Sequence, residues 1–329
     1  RYFCLKRTNM LLSFVIPVYN EQDSLEQLTE EIIANCAPHN YEIIFIDDGS
    51  QDHSFAIMEE LACQDPNIKV VKFRRNFGKA AALQYGFNLA QGEIVFTLDA
   101  DLQDNPKEIP KFLDKIAEGW DLVSGWKQKR NDPWHKVLPS RFFNFVTARA
   151  FHLKLKDFNC GFKAYRREVV KELSLYGEMH RYIPALAHSL GYKITEIPVE
   201  HRKRIYGHSK YGMERYLRGF FDLLTVKMVT QYAKSPLYLF GRVGLIATLI
   251  GTIIAIYLTV LKLFYNQPLS NRPLLFLAIT LILGGLQFVS LGLISELIVN
   301  RSVPLRPLPV SVEKTVNIQK KEELDLESS

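Results

Sequence analysis

Apolar residues follow two different patterns along this chain, and the change comes near residue 236. Before it, short unbroken apolar runs alternate with stretches of helical period. Leu11–Pro17 is the first such run, and a run without polar alternation suits a strand buried on both faces. Asn20 is placed to cap a helix that runs to about Cys36. Tyr41–Ile46 is a second strand, with a helix after it at about 53–64, and Ile68–Phe73 is a third, with a helix at Gly78–Ala90. Glu93–Leu98 is a fourth, Pro106 suits the first turn of the next helix, and Trp120–Ser124 is a fifth strand. Strand alternating with helix at this spacing predicts an α/β domain with a mostly parallel sheet and right-handed crossovers.

Beyond residue 134 the pattern loosens. A helix is predicted at 134–152, another near 180–190, and a strand near 192–199. In 211–233, Tyr216, Phe220, Leu223 and Leu224 form an apolar stripe with Arg215, Arg218 and Lys227 interleaved. That stripe suits a helix lying in a membrane interface, or one packed on the α/β domain, and the sequence leaves both open. Then the second pattern begins. Val243–Leu261 runs 19 residues and Leu274–Ser295 runs 22 without a charge. Each meets the ~20 apolar residues needed to cross a hydrocarbon core of ~30 Å. The linker between them carries only Lys262 and Arg272, whereas Lys227, Lys234, Arg301 and Arg306 lie on the outer flanks. The positive-inside rule therefore puts both flanks, and the α/β domain, in the cytoplasm and the short linker outside. The expected division is a leader or trimmed end at 1–10, with Met10 as a start, and an α/β domain at 11–204. Amphipathic interface helices follow at 205–236, a two-helix transmembrane hairpin at 237–299 and a cytoplasmic tail at 300–329. Residues 1–9 hold no apolar run of signal-peptide kind.

Charge and cysteine content add little by amount and more by position. The net charge of +6 over 329 residues is too weak to argue for nucleic acid. Lys127–Arg141, however, holds five basic residues and one acid, and Lys193–Arg218 seven and three. Basic clusters beside an apolar anchor suit an anionic membrane surface or a phosphate ligand. Cys4, Cys36, Cys63 and Cys160 form no CxxC pair, which fits reduced thiols in a cytoplasmic domain. No GxxxxGK[ST] and no GxGxxG is present, which argues against an ATPase or a dinucleotide enzyme.

Three polar clusters each close a predicted strand: Pro17-Val18-Tyr19-Asn20-Glu21, Asp47-Asp48-Gly49-Ser50 and Asp99-Ala100-Asp101-Leu102-Gln103. Ligands of open α/β sheets bind beyond the carboxyl ends of strands, so three in register form a candidate site. In extended backbone Asp99 and Asp101 point the same way, and two hard oxygens suit Mg²⁺ or Mn²⁺ with diphosphate oxygens completing the shell. Capping of the helix at Pro106 is the plainer reading of that pair. Asp48 suits an N–H on a nucleobase edge, which uracil and guanine both offer. Lys79 opens a helix after Asn76-Phe77-Gly78, a setting that favours an anion.

The blocks VIPVYNE (15–21), DDGS (47–50), NFGKAAAL (76–83), DADLQD (99–104) and DFNCGFK (157–163) resemble the family 2 glycosyltransferases of the GT-A fold. With two C-terminal spans, the chain looks like their polyprenyl-phosphate branch, which includes bactoprenol glucosyltransferases and dolichol-phosphate mannose synthases. The resemblance implies that Pro17, Tyr19, Glu21 and Asp48 hold the base and ribose, and that Lys79 and Asp99 contact the nucleotide. It makes Asp101 a metal ligand and puts Gln103 near the sugar or metal shell. Asp157 matches the acid usually proposed as catalytic base. Arg204, Ser209 and Lys210 match a mobile segment that closes on the diphosphate, and Lys127 and Arg141 match basic positions at the acceptor phosphate. Lys127 stands where relatives often have Arg, which binds phosphate bidentately as Lys does not.

The implied reaction is inverting transfer of a hexose, glucose from UDP-glucose by the likeness of the tail, to a polyprenyl phosphate, with GDP-mannose and UDP-GlcNAc as alternatives. The acceptor phosphate has a second pKa of about 6 and is already a nucleophile at neutral pH. Asp157 is therefore expected to orient the acceptor or stabilise developing positive charge as much as to remove a proton. Competing readings are a processive polysaccharide synthase, for which no QxxRW block is present, and a nucleotide-binding membrane scaffold without catalysis. A two-span bundle also offers itself to association with copies of itself.

Overall fold

Alternate residues of the central strands enter different cores, which is why their sequences read as unbroken apolar runs. The computed structural model describes residues 9–128, 144–151, 153–202, 225–228, 235–265, 268, 273–301 and 312–317. Its strands are β1 (Leu11–Val18), β2 (Asn40–Asp47), β3 (Ile68–Phe73), β4 (Ile94–Thr97), β5 (Leu122–Lys127), β6 (Lys163–Arg166), β7 (Ile194–Val199) and β8 (Val312–Val316). Its helices are α1 (Leu25–Cys36), α2 (Ser54–Gln64), α3 (Lys79–Leu89), α4 (Ile109–Ala117), α5 (Arg167–Glu172), α6 (Ile183–Ser189), α7 (Leu237–Tyr265) and α8 (Pro273–Arg301). Phe14 and Ile16 of β1 join Phe45 and Phe96 in one core with α1, α2 and α4. Val15 joins Ile44, Ile46 and Val95 in the other, with α3, α5 and α6. Both faces are covered by helices, so neither face needs polar alternation.

The sheet order is β7-β5-β6-β4-β1-β2-β3-β8. Four of its seven pairings are parallel: β1–β2, β1–β4, β2–β3 and β5–β7. Two strands escape the sequence pattern. β6, Lys-Ala-Tyr-Arg, inserts antiparallel between β4 and β5. Four residues with charged ends carry too little periodicity to be read. β8 comes from the segment read as a tail and pairs antiparallel with β3. Lys314 pairs with Glu59, and Asn317 donates to the Ala62 and Ile68 carbonyls at 2.7 and 2.9 Å.

Asn20 does not cap α1, as the sequence suggested. It lies at φ +54, and α1 begins only at Leu25, behind Ser24. Nor is the turn at Pro106 capped by Asp99 or Asp101: Asn105 Oδ1 accepts from Lys107 N at 3.1 Å.

The chain divides into two units, Arg1–Val226 with Arg306–Ser329, and Lys227–Leu305. Val226 is fully buried in the core shared with α3, α5 and α6, so this end of 211–233 packs on the α/β unit. Tyr216, Phe220, Leu223 and Leu224 lie outside the described residues. The second unit is a helical hairpin. Each helix has 29 residues, about 44 Å at 1.5 Å per residue, long and apolar enough to cross a membrane. Leu245, Phe276 and Leu297 are among many large apolar side chains left exposed. Inside, Gly244 and Gly251 meet the Gly285 and Ala278 carbonyls, and the seven-residue spacing keeps one face of each helix on its partner. A Cβ on Gly285 would lie 2.2 Å from Thr248 Oγ1, whereas one on Gly284 would meet nothing within 4 Å.

Candidate active site

The three polar clusters lie at the carboxyl ends of β1, β2 and β4, adjacent strands of the sheet, and side chains tie their loops together. Asn20 N donates to Ser50 Oγ at 3.0 Å, and Asn20 Oδ1 accepts from Gln51 N at 2.8 Å. Glu21 N donates to Ser54 Oγ at 2.9 Å. Ser24 Oγ donates to the Ala100 carbonyl at 2.6 Å, joining the first loop to the third. Pro17 sits within β1 opposite Ile46, and Tyr19 follows the strand. The carboxylate of Asp48 accepts from Phe77 N and Gly78 N at 2.7 and 3.0 Å, so it holds the loop that leads into α3. Burial, opposed by those two bonds, pushes Asp48 up to about 6.

Lys79, first residue of α3, pairs with Asp99. Burial alone would raise the Asp99 pKa, but the charges of Lys79, Lys127 and Lys163 outweigh it and hold the carboxyl well below the usual range. Asp99 also needs Gly161, where a Cβ would stand 2.6 Å from its carboxyl carbon. Asp101 lies in a turn rather than in an extension of β4, and its Oδ1 accepts from Gln103 N at 3.2 Å. Burial, then the charges of Asp99 and Asp104, pushes Asp101 up to about 6. Buried Asp104 lies 3.1 Å from the ammonium of Lys127. Burial would lower the Lys127 pKa, yet Asp104 and Asp99 lift it above the ordinary lysine range. Lys127 thus belongs to the acid cluster.

These residues fit a divalent cation that takes part of its shell from a ligand. Burial, with the charges of Asp99 and Asp104 added to it, disfavours the ionised Asp101, and a cation would offset both. Among the described residues no group of three His, Cys, Asp or Glu side chains stands ready to hold a metal alone. Mg²⁺ is commonly bound through one or two carboxylates plus substrate phosphates.

Asp157 is 1% exposed, on a loop pinned from both sides. Asn144 donates to the Lys156 carbonyl at 2.9 Å and accepts from Phe158 N at 3.4 Å, while Glu196 accepts from Lys156 N at 2.7 Å. The end of β7 is stitched to the acid loop. Arg202 N donates to the Gln103 carbonyl at 2.9 Å, and the Arg202 guanidinium reaches Glu31 and Asn105 at 2.7 Å. Arg141, Arg204, Ser209 and Lys210 lie outside the described residues.

The family model for Glycosyl transferase family 2 matches residues 13–174, which contain all of these strand-end clusters. A dodecaprenyl-phosphate galacturonate synthase of Rhizobium johnstonii is 34% identical over 294 residues, covering 87% of each chain. The chain belongs to glycosyltransferase family 2. An undecaprenyl-phosphate 4-deoxy-4-formamido-L-arabinose transferase of Proteus mirabilis is 36% identical to this glycosyltransferase over 94% of the chain and 95% of its own length. The glucosyl-3-phosphoglycerate synthase of Mycobacterium tuberculosis, solved with Mn²⁺, UDP and phosphoglyceric acid, superposes at a TM-score of 0.53 with 19% identity. It covers 67% of this chain and 78% of its own. At that identity the likeness establishes the fold, which is GT-A.

Sequence reasoning passed over several residues that this glycosyltransferase gathers at Asp99. Lys163 lies within the DFNCGFK block but drew no role, because its burial at the start of a four-residue strand with charged ends leaves no local pattern. His180 and Arg181 had no sequence signal, because only the packing of the 179–182 turn brings them beside Lys79 and Asp99. Burial lowers the Lys163 pKa, and the charge of Lys79 adds to that; burial also puts His180 well below its ordinary value.

Proposed function

We propose that this glycosyltransferase moves a sugar, with inversion, from a nucleoside diphosphate donor to the phosphate of a membrane polyprenyl phosphate on the cytoplasmic face. The observation that carries the reading is the crowding of Asp99, Asp101 and Asp104 at the end of β4, with Lys79 and Lys127 beside them. Asp101 and Asp99 would hold Mg²⁺ or Mn²⁺, which when bound neutralises charge on the leaving diphosphate. Lys79, and Arg204, Ser209 and Lys210 after β7, would bind the same diphosphate. Pro17, Tyr19, Glu21 and the loop held by Asp48 would seat the base and ribose, with Gln103 near the sugar. Lys127 and Arg141 would face the acceptor phosphate. Asp157 would orient that phosphate or stabilise positive charge at the anomeric carbon.

The two apolar helices and the membrane-lipid acceptors named for the relatives support anchoring in the bilayer. Two crossings return a chain to the side it left. The place of β8 in the same sheet as β1 supports both flanks on one side, and the basic flanks make that side cytoplasmic. Our division remains a GT-A domain at 11–204, interface helices at 205–236, a hairpin at 237–299 and a tail at 300–329, with 312–316 returned to the sheet. The sugars named for the relatives are galacturonate and a formamido-arabinose, so the relatives give the glucose expectation no support. The test is a donor panel of UDP-glucose, UDP-galacturonate, UDP-GlcNAc and GDP-mannose on the full chain in lipid nanodiscs. Undecaprenyl and dolichyl phosphate serve as acceptors, with Mg²⁺, Mn²⁺ or EDTA. We expect metal-dependent formation of a sugar-phosphate lipid. Full turnover in EDTA would overturn the metal assignment, and absence of transfer to either lipid would overturn the acceptor.

A further inference from the structure

Behind the Lys79–Asp99 pair lies a polar cavity of about 120 Å³, walled in part by Lys79, Asp99, Asn159, Lys163, His180 and Arg181. Three of these are cations and one is an anion. Lys79 is answered by Asp99, and Arg181 by Glu178 at 2.7 Å on the rim. Lys163 is different. It is 3% exposed, makes no ion pair among the described residues, and donates to the neutral carbonyl of Cys160. An ammonium has three donors, and among the described residues this one bonds only the Cys160 carbonyl, with the charges of Asp157 and Asp99 felt without a direct pair. Among the described residues, Nδ1 of His180 and Oδ1 of Asn159 are also buried without a hydrogen-bond partner, where buried polar groups are as a rule paired. A single water needs only about 10–15 Å³ of such space, so the cavity takes a much larger polar group.

We propose that this cavity receives a carboxylate carried on the donor's sugar, so that the enzyme transfers a uronic acid in preference to the matching neutral hexose. The proposal rests on the reading of Lys79 and Asp99 as donor-site residues. Two carboxylate oxygens accept from Lys163 and Arg181 together, and ring hydroxyls supply the partners that Asn159 and His180 lack. A hydroxymethyl group in the same place brings no charge to Lys163 and Arg181. Sites built around a buried polar group discriminate strongly against substrates that lack its partner.

The experiment compares kcat/KM for UDP-glucuronate with UDP-glucose, and for UDP-galacturonate with UDP-galactose. It uses the full chain in nanodiscs with undecaprenyl phosphate and Mg²⁺. We expect at least one uronate to exceed its neutral partner by about 100-fold, a modest figure for loss of a buried polar partner. Lys163→Met should cut that ratio by about 10-fold or more, and Lys163→Arg should keep most of it, because Arg retains the charge. If Lys163→Met fails to fold, calorimetric binding of UDP-glucuronate and UDP-glucose to the wild-type protein decides, with tighter uronate binding expected. Neutral sugars used as well as uronates, or a ratio unmoved in a folded Lys163→Met, would overturn the proposal and leave the proposed function standing. No transfer from any donor would overturn both.

Discussion

In the α/β unit the large side chains are inside: Tyr165, Tyr182, Phe14, Phe96 and Phe162 are fully buried. In the hairpin most of them are outside, and Gly244, Gly251, Ala278 and Gly285 let the helix backbones approach closely. The surroundings explain the reversal. Water rewards burial of apolar surface, so the α/β unit gathers its aromatics between sheet and helices. Lipid tails are as apolar as leucine, so helices that face them gain mainly by close backbone packing, which small residues allow. Charge follows the same division. Asp99, Asp101, Asp104, Lys79, Lys127 and Lys163 crowd one end of the sheet, while Val243–Leu261 and Leu274–Ser295 carry none.

The largest expected effect tests the charged end. Asp157→Asn should lower kcat by about 10²-fold or more, the size typical of lost transition-state charge stabilisation. The loss should not recover as pH rises, because the acceptor phosphate is already dianionic. Recovery at high pH would favour base catalysis, and near-intact activity would remove both roles. Next comes the hairpin interior. Gly285→Leu should destabilise the protein in detergent by about 1–3 kcal/mol, the usual range for overpacking, while Gly284→Leu leaves its melting temperature unchanged. Equal effects of the two would mean that the close contact at Gly285 does not hold the helices together.

A third test uses pH. Asp101, with its pKa raised to about 6, must ionise to hold a metal, so donor kcat/KM should fall as pH drops through 6. Folding stability has the opposite sign. A carboxyl raised in the folded state contributes stability that is full below its unfolded value of about 4 and is lost as pH rises through 6. Asp101→Asn should therefore flatten the metal-free melting curve between about pH 4 and 6. An unchanged slope would mean that Asp101 is not under this strain. The smallest effect concerns β8. Asn317→Ala removes two hydrogen bonds to the α2–β3 region, each worth about 1 kcal/mol, and should speed amide exchange along the β3–β8 pairing. Exchange unchanged from wild type would make β8 independent of that anchor.

The strands β1 to β4, both apolar helices and the three strand-end clusters were legible in the sequence, because each depends on local period or on a short polar block after an apolar run. β6, β8 and the partners of Asp99 were not. Lys-Ala-Tyr-Arg becomes a strand only because β4 and β5 offer it edges, and Val312–Val316 only because β3 has a free one. The residue types alone fixed that a polar strand-end site sits on an apolar scaffold, and that two stretches suit lipid. Tertiary structure decided which charges meet: Lys127 on Asp104, Lys79 on Asp99, and Lys163 buried beside them on the Cys160 carbonyl. Residues 20 to 80 positions apart share a site through the crossing of strands, and no local pattern records that.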